Sequence, residues 1–158
     1  MAFQSQVNLG YARGVAGSKA SFNPFVYWPN NLLADGPVAV GSFVWPGTAP
    51  QIQAKNTGTG VPIGIVERNI VYPNFLVFEE GTLIVPDGSA LATVIKGDLW
   101  VVSLTAATDG QKVYANLADG TIQTDAAGET ITGAVETPWV VVSGGAAGDP
   151  ILISNWSN

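Results

Sequence analysis

The dipeptide Asp-Gly occurs four times in this chain, at residues 35–36, 87–88, 109–110 and 119–120. Asp and Gly both tolerate the positive φ angles that tight hairpin turns demand, so each occurrence is a turn signal. Short runs of β-branched and aromatic residues alternate with these turns from residue 37 onward, and no window shows a helical spacing of apolar residues. We therefore predict an all-β protein whose antiparallel strands close into a jelly-roll-like β-sandwich or barrel.

Three stretches give more local predictions. Residues 112–124 alternate in polarity and turn at Asp119-Gly120, which predicts an exposed two-stranded ribbon. Residues 100–102 and 140–142 are apolar at consecutive positions, which predicts strands that are covered on both faces, by the core on one and by a neighbouring subunit on the other.

The chain contains unusually few charged residues. Charged residues make up 11% of the 158 residues and hydrophobic residues 47%, whereas an ordinary soluble domain is roughly 25% charged. The composition predicts that other protein, expected to be a neighbouring subunit, covers part of the surface. The apolar runs are much shorter than a membrane helix, and a net charge of −6 would repel a phosphate backbone. Neither a membrane nor a nucleic acid is therefore expected as a partner.

The first 34 residues differ in charge from the rest. They contain Arg13 and Lys19 and no acidic residue, while the other four basic and all twelve acidic residues lie from residue 35 onward. The segment's three glycines lie close together, at Gly10, Gly14 and Gly17, and it lacks the apolar run of a secretory signal. We predict an extended N-terminal arm, residues 1–34, that orders against a partner, and one β-sandwich or barrel domain, residues 35–158. A disordered terminus is the alternative for the arm.

The aromatic residues at 22–28 (FNPFVYW) crowd around Pro24 and Pro29, where regular strand pairing is hindered. Large, rigid side chains of this kind can fill pockets of an adjoining subunit, or they can cap the protein's own core. The tryptophans in or beside predicted strands are expected to fill the core or an interface. The predicted partner-binding residues are two cations for an acidic surface and the aromatic anchors: Arg13, Lys19, Tyr11, Phe22, Phe25, Tyr27 and Trp28.

The common catalytic side chains are missing. The chain has no histidine and no cysteine, which excludes a Ser-His-Asp triad, imidazole or thiolate metal ligands and cysteine catalysis. Glu79 and Glu80 are adjacent, so on a strand they would point to opposite faces and could not flank one glycosidic bond. No calcium loop or nucleotide-binding fingerprint is present. We predict no enzymatic activity, no cofactor and no metal site.

Five segments carry a family resemblance through their order and spacing: residues 1–8 (MAFQSQVN), 62–68 (PIGIVER), 97–102 (GDLWVV), 110–122 (GQKVYANLADGTI) and 136–156 (ETPWVVVSGGAAGDPILISNW). Together they resemble the structural cement, or head decoration, proteins of tailed bacteriophages. The resemblance implies an all-β protein that binds the outside of the assembled capsid, bridges neighbouring major capsid proteins and resists the pressure of packaged DNA. It implies no catalytic residues. It also implies a homo-oligomer, for which we favour a trimer over a dimer, located in the virion and, during assembly, in the host cytoplasm.

Two other functions stay open at this point. A carbohydrate-binding or receptor-binding β domain of a phage tail or fibre would use exposed Trp and Tyr side chains as sugar platforms. A hydrolase that relies on carboxylates alone is disfavoured by the geometry of Glu79 and Glu80.

Overall fold

A computed structural model describes residues 12–69 and 83–156 of the chain. These two ranges consist of strands and loops without a helix, which confirms the predicted all-β class. None of their segments qualifies as an apolar helix long enough to cross a membrane. The strands, in chain order, are β1 (Val26–Tyr27), β2 (Leu32–Ala34), β3 (Val38–Ala39), β4 (Phe43–Pro46), β5 (Gln53–Lys55), β6 (Gly64–Val66), β7 (Ile84–Val85), β8 (Ala90–Leu91), β9 (Thr93–Lys96), β10 (Asp98–Val102), β11 (Lys112–Asn116), β12 (Ile122–Asp125), β13 (Ala134–Ser143) and β14 (Pro150–Ser154).

The second half of the chain forms a five-stranded antiparallel sheet in the order β10-β14-β13-β11-β12. Its two outer strands approach each other. Ser103, directly after β10, forms a parallel bridge with Ile122 of β12, and the Leu104 N–H donates to the Ile122 carbonyl at 2.8 Å. The sheet therefore curls into a barrel, and alternation along β10 places Leu99 and Val101 in its interior.

The hairpin predicted at residues 112–124 is present, because β11 pairs with β12 in antiparallel register. The prediction that it is an exposed ribbon is wrong. Strand β11 pairs with β13 on its other side, and Val113, Tyr114 and Ala115 are all buried. The Tyr114 hydroxyl donates to the Ala126 carbonyl at 2.6 Å, so the loop that follows β12 covers a position that alternation had assigned to solvent.

The first half of the chain contributes most of a seven-stranded sheet in the order β1-β9-β6-β4-β5-β2-β8. Ala92 alone separates β8 from β9, so the hydrogen-bonded path β9-β6-β4-β5-β2-β8 returns to the segment where it began. This sheet therefore also closes around a core. The pair β2-β5 is parallel, whereas the other pairs between described strands are antiparallel. Strands β3 and β7 form a separate two-stranded sheet.

Strands β4 and β6 stand between two clusters of buried side chains. Phe43 and Ile65 face the cluster inside the five-stranded barrel, and their chain neighbours Val44 and Val66 face the second cluster. Consecutive residues are apolar here because both faces of the sheet are covered. Trp45 and Trp139 are among the largest fully buried side chains, as expected for core tryptophans.

Part of the predicted N-terminal arm contributes strands. Residues 26–34 supply β1 and β2 to the seven-stranded sheet. The prediction that prolines keep residues 22–28 out of strand pairing is wrong for Val26 and Tyr27, which pair with β9. The reason is that Pro24 and Pro29 lie outside the paired residues. The division of the chain into units at residue 34 stays a prediction.

Candidate functional site

Within the segment of residues 12–20, residues 17–20 lie along the edge of β10 that does not pair with β14. Three backbone hydrogen bonds of 2.7 to 2.9 Å join residues 17–20 to residues 98–100. Lys19 forms an isolated antiparallel bridge with Leu99 between them. The segment thus covers an edge of β10 whose N–H and C=O groups would otherwise be unpaired.

Two neighbouring residues determine how this segment crosses the barrel. Gly14 lies directly against the indole of Trp100, and a Cβ at this position would overlap Cδ1 of that ring. Only glycine permits such an approach of the backbone. The guanidinium Nη1 of Arg13 lies 3.2 Å from Oδ2 of Asp149 and donates to the Pro150 carbonyl, also at 3.2 Å. The predicted partner-binding cation Arg13 is therefore paired within its own chain, although its side chain remains half-exposed.

Lys19 is also paired within the chain. Its Nζ lies 3.4 Å from Oε1 of Glu67, 4.9 Å from the centroid of the Phe25 ring and 5.7 Å from that of Tyr27. A hydrogen bond with Tyr27 and the nearby Glu67 carboxylate raise the pKa of Lys19, although burial opposes them. Burial is the largest cause that raises the pKa of Tyr27, and the hydrogen bond with Glu67 is the next largest. Two of the predicted residues, Lys19 and Tyr27, thus interact with Glu67, which the sequence did not single out.

The structure separates the four aromatic side chains of the N-terminal cluster. Phe25 packs against the core cluster inside the five-stranded barrel, and Trp28 packs against the second core cluster, which contains Val44 and Val66. Both side chains therefore cover the protein's own core, which was the alternative to a partner contact. Tyr27 is 38% exposed, and Phe22 is fully exposed at 109% of the reference area. Of these four, Phe22 is the side chain that other parts of the described chain leave uncovered.

The turn that carries Phe22, residues 21–23, is organised by one buried carboxylate. Asp98 is 6% exposed, and its Oδ2 accepts hydrogen bonds from Oγ of Ser21 and Nδ2 of Asn23, both at 2.6 Å. Oγ of Ser21 accepts a further bond from the Asn23 N–H at 3.0 Å. Burial alone would raise the pKa of Asp98, but hydrogen bonds from Ser154, Ser21 and Asn23 outweigh it and lower the pKa below its usual value. The carboxylate is therefore ionised at neutral pH.

Because the folded-state pKa of Asp98 is lowered, its contribution to stability is present above the pKa of an unfolded carboxyl, about 3.9, and is lost as pH falls through the folded value. We expect Asp98→Asn to destabilise the protein by about 2 kcal/mol at pH 7. The difference from the wild type should shrink progressively below about pH 4. Urea unfolding of both proteins between pH 7 and pH 2.5 measures this, and a difference that stays constant across the range would contradict it.

Exposed apolar side chains also occur on the outer side of the barrel. Val102 in β10 and Val142 in β13 are 38% and 49% exposed, and Leu104, just beyond β10, is 53% exposed. The two valines belong to the stretches predicted to be covered by a neighbouring subunit. This face is open in the single chain, so its coverage by a neighbouring subunit stays a prediction.

A groove of ≈ 290 Å³ lies beside Tyr27 and Trp28 and is lined on its other side by residues 90–93. The Trp28 ring packs against the second core, and its Nε1 is buried without a hydrogen-bond partner. The protein's own core therefore covers part of the Trp28 side chain, and the rest lines the groove.

Three residues weighed in the sequence, Tyr11, Glu79 and Glu80, lie outside the described residues. Within residues 12–69 and 83–156, no group of three His, Cys, Asp or Glu side chains is placed to hold a metal ion.

Taken together, the fold and the site define an all-β structural protein whose distinctive features are contact surfaces: a segment bound along a strand edge, a fixed aromatic turn and an open apolar face. A family model described as "Structural cement protein (E217 gp24/Pam3 gp6)" matches residues 3–155. The chain therefore belongs to the structural cement protein family of bacteriophages. The resemblance seen in the sequence is confirmed, and so is the role of a capsid cement, or decoration, protein.

Among solved structures, a chain from "The capsid of Myoviridae Phage XM1" is similar to this protein with a TM-score of 0.64. The two chains are 20% identical, and the match covers 98% of each. At this level of identity the likeness shows a shared fold. A search of curated proteins finds no match.

Proposed function

We propose that this protein binds the outer surface of the assembled phage head, bridges neighbouring major capsid proteins and stabilises the shell without catalysing a reaction. The observation that carries the proposal is the match to the cement family over residues 3–155. The geometry adds a surface that suits such contacts, because the N-terminal segment lies on the outside of the barrel and ends in the exposed turn at Phe22.

The predicted partner-binding residues would act in two ways. Phe22, Tyr27 and the half-exposed cations Arg13 and Lys19 can contact a capsid protein without any change in the fold. Phe25 and Trp28 pack against the protein's own cores, so in this proposal they hold the arm in place. Tyr11 completes the proposed set.

We also propose that the protein acts as a homo-oligomer, a trimer in preference to a dimer. The open apolar face around Val102 and Val142 supports contact between copies. Many weak contacts repeated over a shell give strong attachment through multivalency. The proposed location is the virion, with the host cytoplasm during assembly. Nucleic acid is not proposed as a partner because the net charge is −6, and a membrane is not proposed because the apolar runs of the sequence are too short for a membrane helix.

A carbohydrate-binding function gains little support, because only Tyr27, at 38%, is exposed among the described Trp and Tyr residues. It requires exposed aromatic platforms, whereas Trp45, Trp139 and Tyr114 are buried and Trp28 packs against the second core.

The test is to add the purified protein to phage heads that lack it and to examine them by cryo-electron microscopy. We expect density on the outer surface, between capsid subunits, and a higher temperature of head rupture. Absence of added density at saturating protein would refute the proposal. Binding of the free protein to a glycan array, without binding to heads, would favour the carbohydrate alternative.

A further inference from the structure

We infer that Phe22 is a single aromatic anchor, which the turn held by Asp98 presents in a fixed shape to an apolar pocket of the major capsid protein. The inference rests on the proposed function, since it names the contact through which the protein reaches the shell. Asp98 is a positioning residue in this scheme, because its carboxylate is buried and acts through Ser21 and Asn23.

The first argument is the exposure of the ring. The other exposed large hydrophobic side chains of the described residues reach at most 63%, at Val61, whereas Phe22 stands at 109%. Single exposed aliphatic side chains are normal on protein surfaces. A phenyl ring held entirely in water is a different case, because burying it in a partner removes a large apolar area from solvent.

The second argument is the rigidity of the support. The two 2.6 Å bonds to Asp98 fix the residues on either side of Phe22, and the Ala20 N–H donates to the Asp98 carbonyl at 2.9 Å. Asp98 itself belongs to β10, which is paired with β14. The backbone of the turn is therefore shaped before binding, and only the rotation of one ring is lost when the anchor docks. Such preorganisation strengthens binding.

The third argument concerns the kind of partner. The turn carries no charged side chain, and both polar neighbours of Phe22 already bond to Asp98, so the matching pocket is apolar with an uncharged rim. Stable interfaces between copies of one chain are broad and apolar. An isolated ring in a polar turn is a small contact of the kind that suits docking onto a shell that is already assembled. The broader apolar face lies elsewhere, at Val102 and Val142.

Titration of labelled protein onto heads that lack it tests the anchor. We expect Phe22→Ala to weaken binding by about 30-fold or more, the size typical of a central aromatic contact. Its thermal unfolding should match that of the wild type, because none of the described residues covers the ring. Val61→Ala is the matched control, since it removes the next most exposed large hydrophobic side chain of the described residues, outside the turn, and it should leave the affinity for heads unchanged.

A double-mutant cycle tests the positioning role of Asp98. Asp98→Asn should weaken binding to heads while leaving saturating occupancy attainable. In a Phe22→Ala background, the same change should weaken binding no further, because no anchor remains to be positioned. A merely structural role for Asp98 would instead weaken binding by the same factor in both backgrounds, and this result would overturn the positioning role.

Three outcomes separate the inference from the function on which it rests. Wild-type protein that fails to bind heads refutes the proposed function. Wild-type and Phe22→Ala proteins that bind with equal affinity leave that function standing and overturn the anchor. A Phe22→Ala protein that keeps its affinity for heads but loses self-association, measured as a lower mass in light scattering, would assign the ring to a second copy and would also overturn it.

Discussion

Replacing Trp139 by alanine is expected to lower the free energy of unfolding by about 3–5 kcal/mol. The indole is 2% exposed and lies in the core of the five-stranded barrel, where it shares a cluster with Val141 and Ile151. Strand β13 pairs with β11 on one side and with β14 on the other, so the backbone cannot easily move in to fill the cavity. Urea unfolding followed by circular dichroism measures the loss.

The control is Val142→Ala in the same strand. This side chain points to the outside of the barrel and is 49% exposed, so its loss should change the free energy of unfolding by less than about 0.5 kcal/mol. Losses of similar size in both variants would contradict the inside-outside assignment along β13.

The all-β class could be predicted because its signals are local. In each of the four Asp-Gly dipeptides the glycine adopts a positive φ, between 70° and 86°, as the turn assignment requires. The hairpin of β11 and β12 follows from the turn at Asp119-Gly120 and the alternation before it. Turn chemistry and strand alternation are properties of neighbouring residues, and the sequence shows them directly.

The pairing partners could not be predicted, because they depend on residues far apart in the chain. Nothing near Ser103 indicates that it meets Ile122 and closes the barrel. Nothing near β2 indicates that it pairs in parallel with β5. The burial of Tyr114 has the same origin, since it depends on a third strand and on a loop that folds back over it. Periodicity shows which face is apolar without showing what covers the other face.

The contacts of the candidate site could not be predicted for the same reason, since they join residues far apart in the chain. The sequence identified Arg13 and Lys19 as unusual cations, but their partners Asp149 and Glu67 lie far along the chain. Asp98 is separated from Ser21 by 77 residues and looks like the polar start of an ordinary strand. Composition could therefore single out the N-terminal segment. The carboxylates that fix it were visible only once the chain had folded.

Deletion of residues 2–20 is expected to leave a folded body that no longer coats phage heads. Among residues 12–20, only Ala16 contributes a buried hydrophobic side chain, so both cores should survive the deletion. The edge of β10 would lose the backbone bonds that cover it, and the turn at Phe22 would lose the bond from Ala20 to the Asp98 carbonyl. Circular dichroism and thermal unfolding report on the body, and gel analysis of purified heads reports on coating.

A single substitution tests whether binding to heads depends on the path of the segment across the barrel or only on the presence of the segment. Gly14→Val keeps the length and charge of the chain but places side-chain atoms where the Trp100 ring lies, so the segment must leave its path across the barrel. Overpacking of this kind costs about 1–3 kcal/mol, which corresponds to a loss of affinity for heads of about 5-fold to about 140-fold. Ala12→Val, at an exposed position two residues earlier, should bind normally. Normal occupancy by the truncated protein would show that the segment is dispensable. Normal binding by Gly14→Val alongside failure of the truncated protein would show that its contact with Trp100 is not the part that matters.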